Sequence, residues 1–428
     1  FKSGISYADH DVTQTTEAAQ SSNIVAKDAS AYYSGTMSSG AGFTLPKPIF
    51  DNMINDAYAA IDGFTLDKSG YGTLQEKNLA LYTMATFASE GVRGNFGLRY
   101  ISTDIESDYY AFSTKGTYAD DLSTDKASYN DVLPSVNIAF DLASDLILRA
   151  SAAQVMSRPN YADLFATSKL PGFNDGTPGN EKKVTGSVNL LPFKASQADL
   201  SLEWYFSGEG LFAATYFIKD VSSFISTREK LNQQIGIEDP NLVSQGGSSC
   251  GAGIYDCWTV SENYNATGGS IDGIELQLLD SFDNGFGYSA NYTFADATSP
   301  AENYADRVGV FSDSSKHTVN LVGYYEMDDF SARIAYNWRS EYMMRELPGF
   351  YGNREHQAYG TVDLSANYNV TDYLSVTFEV VNLLEEDSIQ KGVSPVDAEG
   401  VISEFKDNYP VWSFDGEARY KLGVALRF

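Results

Sequence analysis

No run of 18 or more apolar residues occurs anywhere in the 428 residues, so no segment can cross a bilayer as a helix. Basic residues are few: 29 Lys and Arg stand against 57 Asp and Glu, a formal charge of −28. That balance argues against nucleic-acid binding and against adhesion to an anionic membrane surface through a basic face. It reads as an acidic, well-solvated exterior. Histidine is limited to His10, His317 and His356, far apart in sequence, which leaves little from which to build a Ser–His–Asp triad. Neither G-x-x-x-x-G-K-[ST] nor H-E-x-x-H occurs, and no carboxylate pair is singled out for acid–base work. The chain reads as a non-enzyme, with no cofactor and no metal. Its two cysteines, Cys250 and Cys257 in SSCGAGIYDCW, share one Gly-flanked stretch. A disulfide closing that small loop is expected and implies an oxidising compartment. A redox-active pair is the alternative, although the spacing is not C-x-x-C.

Aromatic residues, by contrast, are abundant at 14%, with 29 tyrosines. Tyrosine suits a bilayer interface or a sugar-binding surface, where one edge of the ring is apolar and the other wet. Apolar residues also alternate with polar ones at period 2, the mark of a strand with two different environments. In the closing ARYKLGVALRF, Tyr420, Leu422, Val424, Leu426 and Phe428 share one face and Arg419, Lys421 and Arg427 the other. Phe330, Ala332, Ile334, Tyr336 and Trp338 likewise oppose Ser331, Arg333, Asn337 and Arg339. A soluble sandwich would turn the apolar face inward; an outer-membrane barrel turns it toward lipid and the polar face toward the lumen.

The connections favour the barrel. Short turns at 143–146, 207–210, 283–285, 327–329 and 370–373 alternate with long polar stretches near 11–77, 104–130, 155–197, 226–270, 296–316, 341–359 and 384–413. Tight turns on one side and long loops on the other are the asymmetry of an outer-membrane barrel. The pattern predicts about 14 antiparallel transmembrane strands, the last over 412–428. One helix is expected over 47–64, packing its apolar residues Ile49, Ile54, Ala57, Tyr58 and Ile61 against its own loop.

SYNDVLPSVNIAFDLASDLILRASAAQVMSRPNYADL (128–164), LSLEWYFSGEGLFAATYFIKDVSSFI (200–225) and YGTVDLSANYNVTDYLSVTFEVVNLLEED (359–387) resemble the barrels of TonB-dependent outer-membrane receptors. The resemblance is to the proteobacterial type that scavenges carbohydrates. It covers most of residues 78–428. It implies a 22-stranded barrel around an N-terminal plug preceded by a TonB box, and neither plug nor TonB box is found in this sequence. Residues 1–428 are therefore expected to be a partial barrel, the C-terminal part of the 22 strands; the opening FKSGISYADH reads as the middle of something already folded. The resemblance further implies the outer membrane of a Gram-negative bacterium, energisation by the TonB complex through the missing region, contact with lipid and lipopolysaccharide, and Phe428 as the signal read by the barrel assembly machinery.

The expected function is active uptake of a nutrient, an oligosaccharide in the first instance. The alternatives are a siderophore-type receptor of the same family and a freestanding 14-stranded passive channel. Ligand-binding candidates are loop aromatics, whose faces stack on the C–H faces of sugars: Tyr109, Tyr110, Phe112, Phe173, Tyr255, Trp258, Phe350 and Tyr351. Their competing reading is that they pack on one another to steady the loops. Arg158, Pro159 and Tyr161 read as structural, with Pro159 ending a strand ladder.

Overall fold

The computed structural model describes residues 1–20, 28–39, 42–113, 116–173, 175–177, 179–245, 250–251, 253–298, 311–344, 353–393 and 410–427. Fourteen strands follow one another through one antiparallel sheet, each paired with its sequence neighbours. They are β1 Lys2–Gln14, β2 Gly72–Ser89, β3 Val92–Phe112, β4 Tyr118–Ala143, β5 Leu146–Ser157, β6 Phe193–Trp204 and β7 Leu211–Gln233. The path continues with β8 Trp258–Ser281, β9 Phe286–Thr298, β10 His317–Met327, β11 Phe330–Arg339, β12 Tyr359–Thr371, β13 Leu374–Val381 and β14 Arg419–Leu426. Among the described residues β1 pairs only with β2 and β14 only with β13, so the sheet has two open edges.

The two faces sort as the alternation demands. On β14, Leu422 and Val424 are 71% and 64% exposed; on β11 the outward residues include Phe330 and Ile334. Such a band is unsuited to water and suited to lipid. The opposite face of β9–β13 is a polar wall around a cavity of about 790 Å³ lined by Asn291, Asn320, Asn337, Arg333, Asn367 and Glu379. Register builds it: Asn291 stands opposite Asn320, and Asn320 opposite Asn337. Turns at one end are tight; in the β8–β9 turn, Gly285 takes φ 85°, a left-handed conformation that favours glycine.

The strands outrun the bilayer. β3, β4, β7 and β8 have 21, 26, 23 and 24 residues, where about ten suffice to span. Most of 104–130, expected as a long loop, is instead the continued β3–β4 hairpin, and much of 226–270 is the continued β7–β8 hairpin. Polar residues outside the membrane keep the ladder going because the hydrogen bonds, not lipid, hold it there. The last expected strand, 412–428, is divided. Pro410–Phe414 joins a separate four-stranded sheet, and between it and β14 the Gly416 N–H donates to Asp387 Oδ1 at 2.8 Å. Phe428 lies outside the described residues.

The helix is α1, Phe50–Ala59, with none of its residues buried. Phe50, Ile54 and Tyr58 are 65%, 50% and 70% exposed, so the expected apolar face stays open; the helix meets its own loop instead through Asn52 Nδ2, which donates to the Ala31 carbonyl at 2.8 Å. A buried apolar cluster lies at the mouth instead. It joins Leu74, Ile105 and Tyr129 of the β2–β4 wall to Leu164, Phe165, Val188 and Leu190 of the β5–β6 connection. That connection therefore folds into the barrel mouth rather than away from it.

Candidate functional site

Two charged anchors hold the β5–β6 connection at its ends. Arg158, one residue after β5, approaches the buried Glu76 carboxylate at 3.8 Å. Lys194, at the start of β6, pairs with Asp131. Both carboxylates sit on the inner wall, 2% and 6% exposed, where an unpaired charge would be costly. Glu76 also accepts from Asn78 Nδ2 at 2.6 Å, and Asn78 from Thr103 Oγ1 at 2.7 Å. Pro159 is buried immediately beyond the end of β5, consistent with its expected role in ending the ladder. Alternation along β2 puts Leu74, Glu76 and Asn78 on one face, an apolar–polar mixture that gives no sequence cue to a buried ion pair.

The connection also reaches across the mouth. Lys182–Thr185 adds as a parallel strand to the start of β8. Asn263 Nδ2 donates to Asp163 Oδ1 at 2.9 Å. Asn265 mimics a strand partner for Leu191, accepting from its N–H at 2.9 Å and donating to its carbonyl at 2.9 Å.

Beside it, residues 171–173 and 179–181, the segment 235–242 and the start of β8 are knotted together. Trp258 is fully buried, donates from Nε1 to the Ile237 carbonyl at 2.7 Å, and stacks with Phe173 at 6.1 Å. Asn241 donates to the Gly172 carbonyl at 3.0 Å and accepts from the Gly176 N–H at 2.8 Å. Glu181 and Asp239 are buried carboxyls, 2% and 0% exposed. Burial, then the hydrogen bond to Asp239, pushes the Glu181 carboxyl above its ordinary value. Cys250 and Cys257 form a disulfide pair in this knot, with Cα atoms 5.7 Å apart.

Three elements leave a polar cleft of about 390 Å³ between them: the β3–β4 hairpin tip, the β5–β6 connection and residues 235–237. Tyr109 and Phe112 bring aromatic rings to it; Asp125, Ser168, Lys183 and Thr185 bring charge and hydroxyls. Tyr109 donates to Asp125 Oδ1 at 3.5 Å; burial first, and the neighbouring Asp125 next, hold its phenol above the ordinary value. Phe112 packs on Tyr118 at 4.2 Å. Burial pushes the Tyr118 phenol up to about 12.

The expected ligand aromatics thus separate. Tyr109 and Phe112 meet in the cleft. Tyr110, the next residue on the alternate face, packs on Tyr71 at 5.4 Å under Lys68 Nζ at 4.8 Å. Phe173 and Trp258 pack on each other, and Trp258, expected to meet a ligand, is fully buried with its indole N–H on the Ile237 carbonyl. Tyr255 serves the same knot through its carbonyl, which accepts from the Asp239 N–H at 2.9 Å. Phe350 and Tyr351 lie outside the described residues.

A family model described as TonB dependent receptor-like, beta-barrel matches residues 1–383. Among solved structures, a variant of the ferric enterobactin receptor of Pseudomonas aeruginosa is 15% identical; the match covers 83% of this chain and 54% of that one, with a TM-score of 0.54. The copper transporter OprC is 18% identical over 86% of this chain and 49% of its own, at a TM-score of 0.53. The siderophore receptor PiuA from Acinetobacter baumannii is 13% identical over 85% and 44%, at 0.53. These identities show the fold alone. The chain spans about half the length of these structures. No curated protein matches the sequence.

Proposed function

The chain belongs to the TonB-dependent receptor-like β-barrel family of the Gram-negative outer membrane, and from that premise we propose that it forms most of the wall of an active nutrient transporter rather than an enzyme. The open edges of β1 and β14 support a larger barrel. Unpaired N–H and C=O groups along a strand edge are not tolerated in hydrocarbon, so further strands complete the sheet toward the 22 that the resemblance implies. A plug within the lumen and the TonB complex would then gate and energise the transport.

The cargo we propose is an oligosaccharide, met first in the mouth cleft. The observation that carries this is the cleft's lining: the rings of Tyr109 and Phe112 beside Asp125, Ser168 and Thr185 pair apolar stacking faces with hydroxyl-binding groups. The similar structures named for ferric enterobactin and copper support a metal-chelate cargo as the second reading. Growth of the native host separates the two. The oligosaccharide reading requires that deleting the gene, or TonB, abolish growth on a defined oligosaccharide as sole carbon source and leave growth under iron or copper limitation unchanged. The reverse pattern refutes it. Steady ion conductance of the purified barrel in a planar bilayer without TonB would refute active transport and favour a passive channel.

A further inference from the structure

Lys182 and Lys183 are adjacent in sequence and meet different fates. On the added strand Lys182–Thr185, alternate residues face opposite ways. Lys182 Nζ donates to Glu229 Oε1 at 2.9 Å. Lys183 lines the mouth cleft, is half-buried, and has no ion-pair or hydrogen-bond partner for its ammonium among the described residues. Among the described residues it is also the one basic side chain in the cleft lining. In a chain of net charge −28 carboxylates are plentiful, so an ammonium left unpaired in a partly desolvated wall is unusual. Desolvation without compensation disfavours it, and an incoming anion would restore the balance. Asp125, the other charge among the described lining residues, accepts from Tyr109 and is more exposed than Lys183.

We propose that the cleft takes an acidic oligosaccharide, whose carboxylate or sulfate pairs with Lys183 Nζ. This rests on the oligosaccharide reading above and adds the charge. Asp125, Ser168 and Thr185 take ring hydroxyls, and Phe112 and Tyr109 take the C–H face. The acidic exterior does not forbid an anion here, because exposed charges farther than a Debye length of about 8–10 Å are screened at physiological salt, while contact inside the cleft is not.

The test is calorimetric titration of the full-length detergent-solubilised receptor with three probes of equal length: tetragalacturonate, its neutral methyl ester, and a sulfated tetrasaccharide. A charge-assisted contact predicts that an acidic probe binds about tenfold or more tighter than the ester. Lys183→Met should erase that preference, and Lys183→Arg should retain it. Heat-modifiable mobility on gels confirms that each variant assembles. A sulfated probe bound in the same Lys183-dependent way assigns the charge to sulfate; tetragalacturonate so bound assigns it to carboxylate. Equal binding of acid and ester, or a preference that survives in Lys183→Met, overturns the role of Lys183 and leaves the oligosaccharide reading standing. Binding of none of the three overturns both.

Discussion

Removing the indole of Trp258 should open the extracellular knot and leave the barrel assembled. The side chain is fully buried. Truncating a buried Trp to Ala costs about 3–5 kcal/mol. The Ile237 carbonyl, now held at 2.7 Å, would lose its donor at a further cost of about 1–3 kcal/mol. The sum, roughly 4–8 kcal/mol, exceeds what a surface loop cluster has to lose before it opens locally. It falls only on residues near 171–173, 179–181, 235–243 and 253–259, because β7 and β8 remain paired below them. Hydrogen exchange read by mass spectrometry on the full-length receptor measures it: at 1.4 kcal/mol per decade, protection in those segments should fall by about a thousandfold or to none, with the strands unchanged. Trp258→Phe keeps a ring against Phe173 and loses the hydrogen bond, so a loss of about tenfold is expected. Wild-type protection in Trp258→Ala would refute the structural role. Loss of ligand binding in Trp258→Phe with protection intact would show instead that the indole touches the ligand.

Other perturbations separate the remaining claims. Glu181 holds its proton more tightly in the folded chain than an unfolded carboxyl does, because burial and then Asp239 raise its value. Its contribution is therefore complete in acid, below the ordinary value of about 4.3, and is lost as pH rises through the folded value. Exchange protection of residues 237–242 should accordingly weaken with rising pH, and Glu181→Gln, which keeps a donor for Asp239, should flatten that profile; a wild-type profile already flat refutes the shared-proton contact. Replacing both Cys250 and Cys257 by Ser should lower the local stability of their loop, seven residues apart in sequence, by about 2.5 kcal/mol, and unchanged exchange there would deny the pairing any structural weight. Ile334→Arg on the lipid face should destabilise the barrel by about 2–4 kcal/mol in urea titrations in lipid, whereas Asn337→Arg on the polar wall should cost far less; equal costs would refute the assignment of faces.

Much of the architecture was written in local pattern. Period-2 alternation on strands such as β11 and β14 needs no tertiary information, because lipid and lumen impose opposite chemistry on successive side chains. Turn brevity at 143–146 or 327–329 fixed the hairpins for the same local reason. Strand length above the membrane was not legible: residues 104–130 are polar, and polarity marks leaving lipid, not leaving the ladder. The candidate site was less legible still. Tyr109 and Tyr110 are indistinguishable in sequence; register alone sends one into the cleft and the other onto Tyr71. Trp258 looked like a ligand aromatic because it sits in a polar, glycine-rich stretch, and only the fold supplies the Ile237 carbonyl and the Phe173 ring that bury it. Lys182 and Lys183 carry the same charge in the same environment of sequence. A single peptide step on an added strand gives one a carboxylate and the other an open cleft. Alternation is set by what the chain dissolves in, and so the sequence alone determined it; partnership is set by which segments converge, and only the tertiary structure decided that.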